Sequence, residues 1–155
     1  NGYPLSGVTG KAEIMDLPDV GNMSSTHSAN PMACAVGLAV LEEIESGNLI
    51  EESHRKGKIL KEGLNNLKQE SGNRIGHILG EGLILAILFQ DPVSGEPDSL
   101  TASLIAEKCY EKGLLVVHTG RESIKIGPPL TISDEALLEG LSVISESFME
   151  ISQQI

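Results

Sequence analysis

The 155-residue chain is short of basic charge: 11 Lys and Arg stand against 22 Asp and Glu, a formal net charge of −11. A nucleic-acid backbone is bound through clustered Lys and Arg, so the reading is no nucleic acid partner. Cysteine is scarce as well. Cys34 and Cys109 lie far apart, each inside an apolar helical pattern, and read as core thiols rather than a disulfide or a catalytic pair. No apolar run approaches the roughly 18 residues that a membrane helix requires, and no secretory leader core is visible. The expectation is therefore a soluble, cytoplasmic protein without a membrane partner. His27, His54, His77 and His118 lack any ligand-like spacing, so no metal site is expected. There is no internal repeat.

What remains is ordinary globular material, 40% hydrophobic and 21% charged with 17 glycines, enough for one domain with a core. The pattern along it changes period several times. Residues 5–16 read as extended structure and 17–31 as a loop rich in Gly, Ser, Asn and Pro. Asn30 then caps a helix with Pro31 at its first position, where a missing N–H costs nothing. Ala33, Val36, Gly37, Val40, Leu41 and Ile44 form its apolar stripe, and Gly47 stops it. A second helix spans about 49–71, with Ile50, His54, Gly57, Leu60, Leu64 and Leu67 on one face.

Beyond that helix the runs shorten. Residues 74–79 and 83–89 read as strands around a turn at Gly80-Glu81-Gly82, and 91–98 as a surface loop. A helix from Ser99 to Lys112 stops at Gly113. Strands at 114–118 and 123–126 flank a turn at Thr119-Gly120, and Pro128-Pro129 ends the second because proline has no N–H for a sheet. Ser133 caps the last helix, with Asp134 and Glu135 in its first turn and Ala136, Leu137, Gly140, Leu141, Ile144, Phe148 and Ile151 as its buried stripe. The fold class is α/β (α+β): a small sheet covered by helices, preceded by one long helix.

Two constellations can carry chemistry. Thr26, with Ser24, Ser25 and Ser28, forms a hydroxyl cluster near a helix start, and hydroxyls with free backbone N–H groups can hold a phosphate. The same residue types also simply make turns and caps. In Ile124-Lys125-Ile126, inward isoleucines would point Lys125 the other way, toward solvent or toward a cleft where it could receive a carboxylate. His118 and Arg121 flank the same turn and could complete an anion-binding rim. Lys11 has nothing nearby to activate its amine and reads as structural or exposed.

Three ordered motifs carry a resemblance. They are Asn1-Gly2-Tyr3-Pro4-Leu5-Ser6-Gly7-Val8, Ser25-Thr26-His27-Ser28-Ala29-Asn30-Pro31-Met32-Ala33-Cys34-Ala35, and Ile124-Lys125-Ile126-Gly127-Pro128-Pro129-Leu130. Together they resemble the C-terminal part of a class III pyridoxal-phosphate-dependent aminotransferase, the 4-aminobutyrate, ornithine and related omega-amino group, over essentially the whole chain. The resemblance implies the C-terminal small domain of a fold-type I transferase (48–155) preceded by the end of the large cofactor-binding domain (1–47). It also implies a homodimer in which Thr26, next to Ser25, donates to the partner's pyridoxal 5'-phosphate. The Schiff-base lysine would lie upstream of Asn1, so no catalytic residue is expected within the 155 residues and the fragment alone would be inactive. At position 125 the family commonly has Arg, which grips a substrate carboxylate with a planar fork; Lys125 keeps the charge without the fork. Amino donor and 2-oxo acid are the implied substrates of the parent. An aminomutase-type enzyme on the same scaffold, or a stand-alone interaction domain, are the alternatives. Without a large domain, the 33–44 helix and the initial strand are expected to expose apolar faces.

Overall fold

The computed structural model describes residues 2–154; Asn1, which opens the first motif, and Ile155 lie outside them. The chain divides into two compact units, Asn1–Asn48 and Leu49–Ile155.

In the first unit the expected extended stretch is interrupted. Residues 12–15 turn into a one-turn helix, α1 (Ala12–Met15), closed by the Asp16 N–H on the Ala12 carbonyl at 2.8 Å. Good helix formers at Ala12, Glu13 and Met15 make a single turn cheap where no neighbouring strand offers a ladder. Helix α2 (Pro31–Ser46) follows as its signals dictate: the Asn30 side chain accepts from the Met32 and Ala33 N–H groups, and the Gly47 N–H closes the end on the Glu43 carbonyl. Ala33 is buried, Val36, Val40 and Ile44 are half-buried, and Met32, Leu38 and Leu41 are exposed.

The second unit is a four-stranded antiparallel sheet with helices against one face. Its elements run α3 (Leu49–Glu70), β1 (Ile75–Glu81), β2 (Ile84–Phe89), α4 (Ser99–Glu111), β3 (Val117–His118), β4 (Ser123–Ile126) and α5 (Asp134–Ser152). The strand order is β1-β2-β4-β3. The first hairpin turns at Gly82-Leu83 rather than at Gly80-Glu81-Gly82, because Glu81 still pairs with Ile84. Gly82 there has φ +55°, a conformation that glycine adopts without strain. Only 117–118 of the expected 114–118 strand enters the sheet.

Cross-strand partners share a face of a pleated sheet. One row therefore runs Ile78, Ile87, Ile124, His118, and the next runs Leu79, Ala86, Lys125, Val117. The first row lies on the face covered by α3, α4 and α5, where Leu60, Leu64, Ile105, Ile144 and Phe148 join Ile87 and Ile124 in the core. Each such side chain contributes roughly 2 kcal/mol through burial. Phe148 of α5 also stacks on Phe89, with ring centroids 6.4 Å apart.

The inward stripe of α3 differs from the expected one. Leu49, Lys56, Gly57, Leu60, Leu64 and Leu67 are buried, whereas Ile50 and His54 are exposed. Both stripes fit a helical period through Gly57; the long-range contacts of Lys56 decide between them. A Cβ at Gly57 would stand 2.4 Å from the Gly82 carbonyl oxygen, so helix and hairpin turn meet backbone to backbone. Gly57→Ala should accordingly lower stability by about 1–3 kcal/mol, read as a fall in Tm; an unchanged Tm would show that this contact is loose.

The C-terminal ends of α4 and α5 are tied by charge. Lys112 meets Glu150 at 2.8 Å and Glu146 at 3.1 Å, and Lys108 lies 3.7 Å from Glu150. Hydrogen bonds from Lys112 hold the Glu146 and Glu150 carboxyls below their ordinary range, and those carboxylates raise the Lys112 ammonium above its own. The depressed carboxylates give stability that is complete above their unfolded titration and disappears as pH falls through the folded one. The raised Lys112 gives stability that is lost only at strongly alkaline pH. The Tm penalty of Lys112→Met at neutral pH should thus shrink below about pH 4. A penalty that persists there would assign the effect to the lysine's aliphatic stem.

Candidate functional site

The two sequence-derived sites fall in different units, and the hydroxyl cluster belongs to the first. Residues 26–29 form a turn just before Asn30. The Ser25 N–H donates to Ser28 Oγ at 2.8 Å, the two serine hydroxyls lie 3.2 Å apart, and the Ser28 N–H returns to the Ser25 carbonyl at 3.0 Å. Ser24 Oγ donates to the Gly21 carbonyl. These serines thus shape the loop. Ala29 completes the turn at φ +53°, the left-handed region that a residue with a Cβ occupies only under local constraint.

The start of α2 has little left to offer an anion, because Asn30 Oδ1 takes the Met32 N–H at 3.0 Å and the Ala33 N–H at 3.2 Å. Thr26 is different: it is exposed, and no hydrogen bond engages its hydroxyl or its N–H among the described residues. A neutral hydroxyl and an amide N–H are donors suited to a phosphate oxygen, so this turn fits one edge of a phosphorylated cofactor. The chemistry of the donor set, rather than a helix dipole, makes the fit.

Lys125 belongs to the second unit. Strand pairing sets it between Ala86 and Val117, on the sheet face away from Ile124 and Ile126. Leu79 continues the row, so an exposed ammonium stands in an apolar line, and no carboxylate forms an ion pair with it among the described residues. A cavity of about 320 Å³ lies beside the end of β4, lined by Leu60, Ile126, Leu137, Leu141 and Ile144 of the helix-covered side as well as by Val117 and Lys125.

The expected anion-binding rim is not assembled. His118 pairs with Ile124 and therefore lies in the opposite row from Lys125, where its Nε2 stands 3.3 Å from Ser103 Oγ. Arg121 Nε lies 3.5 Å from Glu122 Oε2, its own neighbour. Alternation along a two-residue strand separates His118 from Lys125, a result that the order of residues around the turn does not reveal. Among the described residues no three His, Cys, Asp or Glu gather closely enough to hold a metal ion, and no helix is long and apolar enough to cross a membrane. Burial raises the Cys109 thiol above its usual range, as suits a core residue.

One group of residues beyond the end of β4 carries no strong signal in the sequence. Arg55 forks onto Asp134 at 2.6 and 2.9 Å and reaches Glu52 at 2.9 Å, while buried Lys56 donates to the Ile132 carbonyl at 2.5 Å. Hydrogen bonds from Arg55 lower the Asp134 and Glu52 carboxyls and raise the guanidinium. The clamp joins the first turns of α3 to the segment that follows β4. Its only local signal is the i,i+3 and i,i+4 spacing of Glu52 with Arg55 and Lys56.

Comparison with known proteins places these features. The class-III aminotransferase family profile matches residues 1–148. The 4-aminobutyrate aminotransferase of Escherichia coli (strain K12) is 39% identical over 156 residues, covering 98% of this chain and 36% of that protein. The crystal structure of acetylornithine aminotransferase from Elizabethkingia anophelis superposes with a TM-score of 0.80 at 33% identity, over 90% of this chain and 33% of that one. A phospholyase from Arthrobacter, solved in complex with phosphoethanolamine, gives 0.72 at 29% identity, over 77% and 29%. The chain spans about a third of the length of the curated relatives it matches. With the profile running through the Thr26 turn, the Lys125 strand and nearly all of α5, the chain belongs to the class III aminotransferases.

Proposed function

We propose that these residues are the C-terminal part of a pyridoxal-phosphate-dependent aminotransferase that moves an amino group from an amino acid or ω-amine to a 2-oxo acid, acting as a cytoplasmic homodimer. Residues 1–47 then close the large cofactor domain and 48–155 form the small domain. Bound pyridoxal phosphate would supply the electron sink that lets the amino-bearing carbon lose its proton. Thr26 donates to the phosphate held by the partner subunit, and Ser25, engaged with Ser28, keeps the turn in shape. Lys125 receives the substrate carboxylate. The observation that carries the reading is Lys125 itself, an ammonium without an acidic partner among the described residues, set in an apolar row of a sheet from this family. The Schiff-base lysine lies outside the 155 residues, so the reading makes them inactive alone.

A second reading rests on the structural similarity to a phospholyase, which shares this scaffold. The two separate cleanly. An aminotransferase consumes a 2-oxo acid for each amine converted, whereas a lyase acting on a phosphorylated amine releases phosphate without any oxo-acid acceptor.

Substitutions at two positions in the full-length holoenzyme test the residue roles. Thr26→Val keeps the shape and removes one donor to a charged phosphate, so cofactor dissociation, followed by its absorbance after gel filtration, should increase about tenfold or more. Wild-type retention would remove Thr26 from the site. Lys125→Met should raise KM for the 2-oxo acid by about tenfold or more, whereas Lys125→Arg should hold KM or lower it. Equal KM values in all three proteins would place the carboxylate elsewhere.

A further inference from the structure

We propose that Lys56 is a positioning residue for Lys125, holding the far end of the proline-containing segment that follows β4. The proposal rests on the reading that Lys125 takes the substrate carboxylate.

Residues 127–132 are poorly served by the sheet. Pro128 and Pro129 have no N–H to pair, and the ladder of β4 ends with Ile126 opposite Leu85. One internal bond, Ile132 N–H to the Pro129 carbonyl at 3.0 Å, tightens the segment without tying it to another element. Its outer end is held by the Ile132 side chain, which packs against the core, and by Lys56, whose Nζ donates to the Ile132 carbonyl at 2.5 Å. Pro128 and Pro129 fix φ at two of the six positions, which limits how the connection between Gly127 and the Leu130-Thr131 turn can bend when Ile132 shifts. Lys125 stands one residue inside that strand end.

Lys56 is suited to this task and expensive for any lesser one. Its side chain is buried, with a relative residue exposure of 7%, and an ammonium so placed must be compensated. The Ile132 carbonyl provides one partner and Glu52 Oε2, 3.6 Å away, provides counter-charge. The helix that carries it is fixed too, since the next residue, Gly57, lies against the Gly82 backbone. Arg55 adds a second staple by forking onto Asp134, two residues beyond Ile132. The connection after β4 is therefore clamped to a helix that is itself locked to the hairpin.

The test uses the full-length holoenzyme with Lys56→Met, Lys56→Arg, Lys125→Met and the double variant Lys56→Met/Lys125→Met. Lys56→Met keeps the apolar stem and removes the donor. It should raise KM for the 2-oxo acid about fivefold, the equivalent of one hydrogen bond, with kcat held within about twofold and no change toward an uncharged aldehyde acceptor. Lys56→Arg, which can still donate to the carbonyl, should recover most of the loss. In the Lys125→Met background the Lys56 substitution should add nothing to KM. Amide hydrogen exchange should quicken at Ile126 and Ile132 in Lys56→Met. Asp134→Asn gives a parallel test at an exposed site, with a smaller rise in the same KM, and serves if Lys56→Met does not fold. If Lys125→Met leaves KM unchanged, the reading of Lys125 itself falls. If Lys125→Met raises KM while Lys56→Met and Asp134→Asn do not, or lower kcat equally with every acceptor, the positioning role is overturned and the clamp is packing alone.

Discussion

The pleat of β4 is the constraint on which the candidate carboxylate site depends. Ile124 and Ile126 are drawn into the core beneath α3, α4 and α5, and a two-residue period then leaves Lys125 no choice of face. A slip of one residue would bury the ammonium and expose both isoleucines, at a cost of several kcal/mol. The register is therefore held by apolar burial, with no polar contact to Lys125 required. The same alternation sends His118 to the covered row and Val117 to the row of Lys125. Charge and hydrophobicity do not compete at this strand; burial decides the geometry and the charge takes the face that is left.

A different economy governs the turn before α2. Asn30 satisfies the helix's first free N–H groups from within the chain, so the helix end is closed to a ligand. What stays open is Thr26, because Ser25 and Ser28 bond each other and Ser24 bonds Gly21. Four hydroxyls in sequence thus divide into three that build the loop and one that faces outward unengaged. Ala29 in the left-handed region is part of the cost of that turn, and the Asn30 cap beside it over-determines the conformation.

Features set by local chemistry were legible in the sequence. Asn30, Gly113 and Ser133 mark helix ends through their own hydrogen bonds or backbone freedom, and the face of Lys125 follows from its two isoleucine neighbours. Features set by partners distant in the chain were not. Nothing in the sequence sets Lys56 apart from the other lysines of α3; its partner, the Ile132 carbonyl, lies far along the chain. Lys56 and Leu49 are buried and His54 is exposed, against the expected stripe at the start of α3. The missing rim around Lys125 has the same origin, since neighbours along a turn need not be neighbours on a sheet. Likewise, the hydroxyl pattern named Ser25 and Thr26 together, whereas only three-dimensional pairing distinguishes the engaged hydroxyl from the free one.

On the proposed reading, in which Lys125 receives a carboxylate, a lysine rather than a guanidinium shifts where orientation must come from. A planar fork fixes a carboxylate through two parallel bonds and so sets the angle of approach from the side chain itself. An ammonium on four rotatable bonds sets almost no angle, and its reach is defined chiefly by its own Cα. With Lys125, precision has to reside in the backbone of β4 and in whatever holds the end of that strand. The sheet supplies one side through Ala86 and Val117, but Pro128 and Pro129 withdraw ladder bonds just beyond. An anchor on the Ile132 carbonyl answers that deficit at the point where it arises. In the proposed arrangement, the side-chain rigidity that a lysine lacks at position 125 and the backbone anchor at Ile132 bear on one physical problem, the placing of a single positive charge.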